Sequence, residues 1–106
     1  MTKNVPELTN GEFEDFIKEG TVLIDFFAEW CMPCVMMAPI LEDLSGEFSD
    51  KAKIGKVNID DNQAIAQKFE VTSIPTFIVF KDGKNVEQFV GGKSQDELSE
   101  IINKHL

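Results

Sequence analysis

The sequence predicts an α/β domain, a mixed β-sheet held between two helical layers. Three observations lead there. The first half alternates apolar, strand-like runs with segments of helical period, the second half adds an Asp-Gly hairpin, and a capped amphipathic helix closes the chain. A length of 106 residues fits one domain, 1–106, with a core of its own but too little chain for two.

Each element has a local reason. Thr9-Asn10-Gly11-Glu12 has the spacing of a capping box, with Leu8 and Phe13 placed as a hydrophobic staple. Phe13, Phe16 and Ile17 mark one face of the helix that follows, and Gly20 ends it. Val22-Leu23-Ile24-Asp25-Phe26-Phe27 is apolar on both sides except for one carboxylate, as a central strand covered on both faces should be. From Cys31 to Phe48 the period is helical, with Val35, Ala38, Leu41 and Leu44 on one stripe and Met36, Ile40 and Leu44 on another; Pro39 should bend this helix. Lys53 to Ile59 reads as a second buried strand and Asp61 to Phe69 as a short helix. Pro75 to Phe80 is a third strand, and Asp82-Gly83 turns it into an antiparallel return from Asn85 to Val90. Ser94 and Glu97 form another capping box, opening a last helix with Leu98, Ile101, Ile102 and His105 on one stripe.

The composition is ordinary for a folded protein, 42% apolar with nine Phe and one Trp. Nineteen acidic against ten basic residues leave a net charge of −9, which argues against a general nucleic-acid binder and against attachment to anionic membranes. Partners with basic rims are mildly favoured, although solubility alone accounts for the acidity. The N-terminal Met1–Glu7 stretch has no apolar h-region and no segment approaches spanning length, so a cytoplasmic location is expected. In that reducing milieu a single cysteine pair is not expected to be a structural staple.

The chemistry concentrates at Cys31 and Cys34, the two cysteines of the chain, in Glu29-Trp30-Cys31-Met32-Pro33-Cys34. The pair lies where a buried strand gives way to a helix. There Cys31 meets unpaired backbone N–H groups that favour a thiolate and pull its pKa below the usual ~8.5. Cys34, one turn further in, should be better covered and stay protonated. Cys31 would then attack a substrate disulfide, and Cys34 would resolve the mixed disulfide; the reverse sequence oxidises a dithiol. Two other readings compete. A metal site needs about three or four protein ligands, whereas the chain offers two thiols and a remote imidazole, so only a metal shared across a dimer stays open. Inert core cysteines are the other alternative, against which Trp30 and Pro33 are odd neighbours. No resident cofactor is expected.

Asp25 is a second clue. A carboxylate inside Leu23-Ile24-Asp25-Phe26-Phe27 should have its pKa raised by desolvation, which suits proton exchange with Cys34. Lys56, between Gly55 and Val57 on the next strand, is a candidate partner for it; a surface-facing Asp25 on a strand edge is the alternative. A third clue is Ile74-Pro75-Thr76. If the bond to Pro75 is cis, the chain turns sharply and presents the backbone of Ile74 to an extended substrate.

These segments, with Ala38-Pro39-Ile40-Leu41, Lys56-Val57-Asn58-Ile59-Asp60 and Val90-Gly91-Gly92, closely resemble the thioredoxin family over about residues 8–104. The resemblance implies a four- or five-stranded mixed sheet flanked by four helices. It implies a dithiol–disulfide oxidoreductase, acting as a monomer, that reduces protein disulfides and is recharged by a flavin- or ferredoxin-linked reductase. Carried over by position, Cys31 is the nucleophile, Cys34 the resolving thiol, Asp25 the buried proton acceptor and Lys56 its partner. Trp30, Pro33, Ile74, a cis Pro75, Gly91 and Gly92 line the protein-binding surface, and Pro39 kinks the helix. Met32 departs from the family's glycine and adds a thioether to that surface beside the reactive sulfur. It also motivates the alternative of a protein oxidant or isomerase with a raised potential. Phe27 stands where the family commonly has tryptophan, a change within aromatic packing. A glutathione-dependent enzyme and a redox-inert binding module are the remaining rivals, the first lacking an evident basic cluster near Trp30 or Ile74.

Overall fold

The structure, a computed structural model, describes residues 5–106. The parts of the 1–106 domain and of the Met1–Glu7 reading that fall on residues 1–4 lie outside it. In chain order the elements are α1 (Asn10–Ile17), β1 (Thr21–Phe27), α2 (Met32–Glu47), β2 (Ala52–Asn58), α3 (Gln63–Lys68), β3 (Thr76–Lys81), β4 (Lys84–Val90) and α4 (Gln95–Lys104). The strands form one sheet in the order β2-β1-β3-β4. β1 and β2 are parallel, as a crossover through α2 permits, while β1–β3 and β3–β4 are antiparallel. A single parallel bridge joins Glu7 to Lys56 beyond β2. Four strands and a bridge therefore stand where four or five were expected.

The local signals act as read. The Thr9 N–H donates to the Glu12 carboxylate at 2.9 Å, and Ser94 Oγ accepts from the Glu97 N–H at 3.1 Å. The Asp82-Gly83 turn has φ of 51° and 86°, the pair of positive values that a two-residue hairpin of matching twist requires. Asp82 also ties this turn to the α1–β1 connection, its Oδ1 accepting from the Gly20 N–H at 2.8 Å.

Alternation along β1 divides the core in two. Leu23 faces α2 and α4, packing with Ile54, Phe77, Leu41, Leu44 and Leu98. Val22, Ile24 and Phe26 face α1 and α3, packing with Phe13, Ile17, Ile65 and Phe80. On that side α1 crosses β2 closely: a Cβ on Gly55 would lie 2.9 Å from the Phe16 ring, so only glycine fits there without displacing it.

The α2 stripes need correction. Leu41 and Leu44 are buried, but Val35, Met36 and Ala38 are exposed, and the inward line runs through Cys34, Met37, Leu41 and Leu44. Apolar residues surround the start of this helix, so several stripes of helical spacing are available. Packing on the sheet selects the one that carries Cys34. Pro39 lies within α2 and withholds its donor from the carbonyl of Val35, yet the helix continues to Glu47.

Candidate active site

Because side chains alternate along a strand, Asp25 shares a face with Leu23 and points under α2. Lys56 is its register partner on β2 and points the same way, as Ile54 does opposite Leu23. Past β1 the chain runs through Ala28 into Cys31, which is the N-cap of α2. Pro33 occupies the first turn, where its missing N–H costs no helical bond. The Cys34 N–H donates to Cys31 Sγ at 3.3 Å, so an orphan donor of the helix start is spent on the first sulfur. Cys31 and Cys34 are joined as a disulfide, with Cα atoms 5.2 Å apart.

The two cysteines are nearly equally covered in this state, Cys31 at 5% exposure and Cys34 at 4%. The expectation that Cys34 is the better covered is met only by that one point. Ala28 clusters with the two cysteines, and Phe27, Ile59 and Ile74 pack against that cluster. What separates the cysteines is the surface each meets. Cys34 lines a cavity of about 230 Å³ together with Asp25, Lys56 and Glu42. Cys31 is bracketed in the chain by exposed Trp30 and Met32.

Asp25 is 2% exposed, and its Oδ1 has no hydrogen-bond partner. Burial pushes its carboxyl up from 3.8 to about 7, against an opposing pull from the Lys56 charge. Lys56 does not form a direct ion pair with it among the described residues. The ammonium instead sits 5.4 Å from the centre of the Phe27 ring. Lys56 thus acts on Asp25 through space, weakly enough for desolvation to dominate.

The Ile74–Pro75 bond is cis. Ile74 packs beside the disulfide, and its backbone groups engage no partner among the described residues. The Pro75 carbonyl accepts from the Gly91 N–H at 2.8 Å, which brings the loop after β4 against this turn. Gly92 in turn lies against α2, with room for 3.8 Å between an added Cβ and Met37 Sδ. Ile74 thus lies against the disulfide, Gly91 against the Pro75 turn and Gly92 against α2, while Trp30, Met32 and Pro33 flank the cysteines in the chain.

Sequence reasoning gave no role to the loop after β2. There Asn58 Oδ1 accepts from the Asp60 N–H at 2.9 Å, and the Asn62 amide donates to the Asn58 carbonyl at 3.0 Å. Asp60 Oδ2 then accepts from the Trp30 indole N–H at 2.9 Å. The legible signal was the alternation Asn58, Asp60, Asn62 directly after a strand, with a lone tryptophan in need of an acceptor. Among the described residues, no group of three or more His, Cys, Asp and Glu side chains is placed to hold a metal ion, and no helix is long and apolar enough to cross a membrane.

A reversible cysteine pair at a strand-to-helix junction, carried by a mixed sheet between paired helices, defines a thiol–disulfide oxidoreductase that works by dithiol–disulfide exchange and reduces disulfides. The chain belongs to the thioredoxin family, whose model matches residues 4–104. It is 49% identical to a thioredoxin of Staphylococcus saprophyticus over 96% of this chain and 98% of that one. It is 57% identical to a thioredoxin of Chlamydia caviae over 88% of this chain and 90% of the relative. Among solved structures, a mutant thioredoxin from Halobacterium salinarum superimposes with a TM-score of 0.88 at 32% identity, covering 99% of this chain and 95% of that one.

Proposed function

We propose that the protein is a reductant of protein disulfides in which Cys31 attacks, Cys34 resolves and Asp25 holds the proton in transit. The reduced Cys31 thiolate attacks one sulfur of a substrate disulfide, forming a mixed disulfide and releasing the other sulfur as a thiolate. The Cys34 thiol gives its proton to the Asp25 carboxylate, directly or through a water. The Cys34 thiolate then attacks Cys31 Sγ, closing the Cys31–Cys34 disulfide and expelling the second substrate sulfur, which takes the proton. A carboxyl titrating near 7 populates both of its forms at neutral pH and so can both accept and return a proton.

The observation that carries this reading is the cavity that Cys34 shares with Asp25, whose buried Oδ1 has no hydrogen-bond partner. It supports the division of labour, because the thiol that shares the base's cavity is the one that must lose a proton late. An extended segment of the substrate would pair with the free backbone groups of Ile74 while its side chains meet Trp30, Met32 and Gly92. Cys34→Ser should accumulate covalent complexes with disulfide proteins through Cys31, whereas Cys31→Ser should accumulate none. Trapping through Cys34 instead would reverse the assignment.

The same proposal extends to setting. The protein works as a monomer in a reducing, cytoplasmic compartment and is recharged by a flavin- or ferredoxin-linked thioredoxin reductase. Its support is the cysteine content, two residues both spent on the working pair. The oxidant or isomerase alternative, motivated by Met32, separates by equilibration with a thiol buffer. A potential near ~−270 mV fits the reductant, and one near ~−120 mV rejects it.

A further inference from the structure

The first turns of α2 expose more apolar surface than any packing role explains. Met32 is 71% exposed and Met36 is 73% exposed, one helical turn apart and so on one side of the helix. Met37, the next residue in the chain, is 4% exposed and packs in the core. Three thioethers within six residues thus divide into two open to solvent and one shut away. In the disulfide form the two cysteine sulfurs are bonded to each other and almost wholly covered. The most accessible sulfur beside the site then belongs to methionine.

We propose that Met32 and Met36 form a peroxide-oxidisable modification site, and that their conversion to sulfoxides weakens the docking of protein substrates without disabling the cysteine pair. The step balances without a cofactor. The thioether sulfur donates an electron pair to hydrogen peroxide, the O–O bond breaks, one oxygen stays as the sulfoxide and the other leaves as water. Each methionine loses two electrons, and each peroxide gains two. A sulfoxide reductase reverses the change, with two thiols supplying the electrons as they join in a disulfide and the oxygen leaving as water.

The consequence follows from polarity. A thioether beside Trp30 offers a flexible, polarisable contact that adapts to a partner's apolar side chains. A sulfoxide places a strong acceptor dipole there, and docking must then strip its water without returning a hydrogen bond. A small disulfide that reaches Cys31 without covering the rim avoids this penalty. The kinetic part of the proposal rests on the reading above that protein substrates sit against Trp30 and Met32; the modification itself does not.

The test treats the disulfide form with hydrogen peroxide, removes the excess with catalase, and reads the peptides by mass. Met32 and Met36 should each gain one oxygen at least tenfold faster than Met37. Equal rates at the three positions would overturn the site. The treated protein, reduced again with a dithiol, should lose about five- to tenfold in kcat/KM toward insulin, mostly through KM. Its rate with 5,5′-dithiobis(2-nitrobenzoate) should stay within twofold. A double variant, Met32→Leu with Met36→Leu, should lose this response when compared with its own untreated rate. Oxidation at both positions with no change in the insulin KM would overturn the regulatory consequence. Trp30→Ala tests the docking face separately: an unchanged insulin KM there would locate the failure in the docking reading, and the mass map would still decide the modification.

Discussion

Asp25 shows how one residue is set by conflicting demands. The β1 strand that carries it is buried on both faces, so its carboxylate is 2% exposed, with no hydrogen-bond partner on Oδ1 and no direct cation among the described residues. With its pKa raised from 3.8 to about 7, the folded state holds a proton over a pH range in which the unfolded chain has released it. Stability therefore falls as pH rises from about 4 to about 7 and levels off above that. A shift of this size corresponds to roughly 4 kcal/mol at the upper limit. Asp25→Asn should remove most of that slope, and urea denaturation at pH 5 and pH 8 would measure it. A slope equal to that of the parent protein would mean another group is responsible. The same variant should slow the resolving step by about 10- to 100-fold at neutral pH, read as the decay of a preformed mixed disulfide. Stability gained and turnover lost at one position would identify Asp25 as a residue kept for chemistry. Asp60 has the milder residue-scale role. Asp60→Ala removes the acceptor of the only indole in the chain, so Trp30 fluorescence anisotropy should fall and the KM for protein substrates should rise about fivefold.

Among the elements, α4 is the one whose attachment can be tested most directly. Its N-terminus is closed by the Ser94–Glu97 box, and Ser94→Ala should cost about 1 kcal/mol of folding stability. Its other end is tied to β4, where Glu87 Oε1 meets His105 Nε2 at 2.8 Å and Lys104 Nζ at 3.1 Å. The His105 carbonyl also accepts from Thr21 Oγ1 at 2.7 Å, joining the helix end to the start of β1. The His105 and Lys104 contacts hold the Glu87 carboxyl below its usual 4.5. Its contribution is thus present at neutral pH and lost as pH falls below that value. Glu87→Gln should lower stability by about 1 kcal/mol at pH 7 and by progressively less as the pH is taken below 4.5, a trend that denaturation across that range would show. The boundaries of such elements were legible because caps, turns and apolar runs are local. The capping boxes at Thr9 and Ser94 and the backbone turn at Asp82-Gly83 are each set within four residues of themselves. The inward face of α2 was not legible, since choosing Met37 over Val35 and Met36 requires the sheet against which the helix packs. For the same reason Asp25 and Lys56 could be placed together but not told apart as ion pair or distant neighbours, and the cis bond before Pro75 has no marker in residue type.

For the whole molecule, net charge and apolar docking surface act at different ranges. The chain carries −9, yet Ile74, which packs against the cysteine pair, and the proposed docking residues Trp30, Met32, Pro33, Gly91 and Gly92 are not ionisable. Docking affinity would come from this uncharged patch, while long-range approach is governed by the acidic remainder. Glu29, next to Trp30 in the chain, and Asp60, bonded to its indole, are both exposed, so the field is not distant from the site. Two substrates with similar local sequence around their disulfides but opposite net charge should then differ mainly in association rate. The basic one should lose several-fold in kcat/KM as ionic strength rises from about 0.01 to about 0.15 M, over which the screening length shortens from about 30 to about 8 Å. The acidic one should gain over the same interval, because screening relieves repulsion. Stopped-flow reduction of such a matched pair across a salt series measures both slopes at once. Parallel slopes for the two substrates would show that net charge does not steer encounter, leaving the apolar patch to govern both approach and binding.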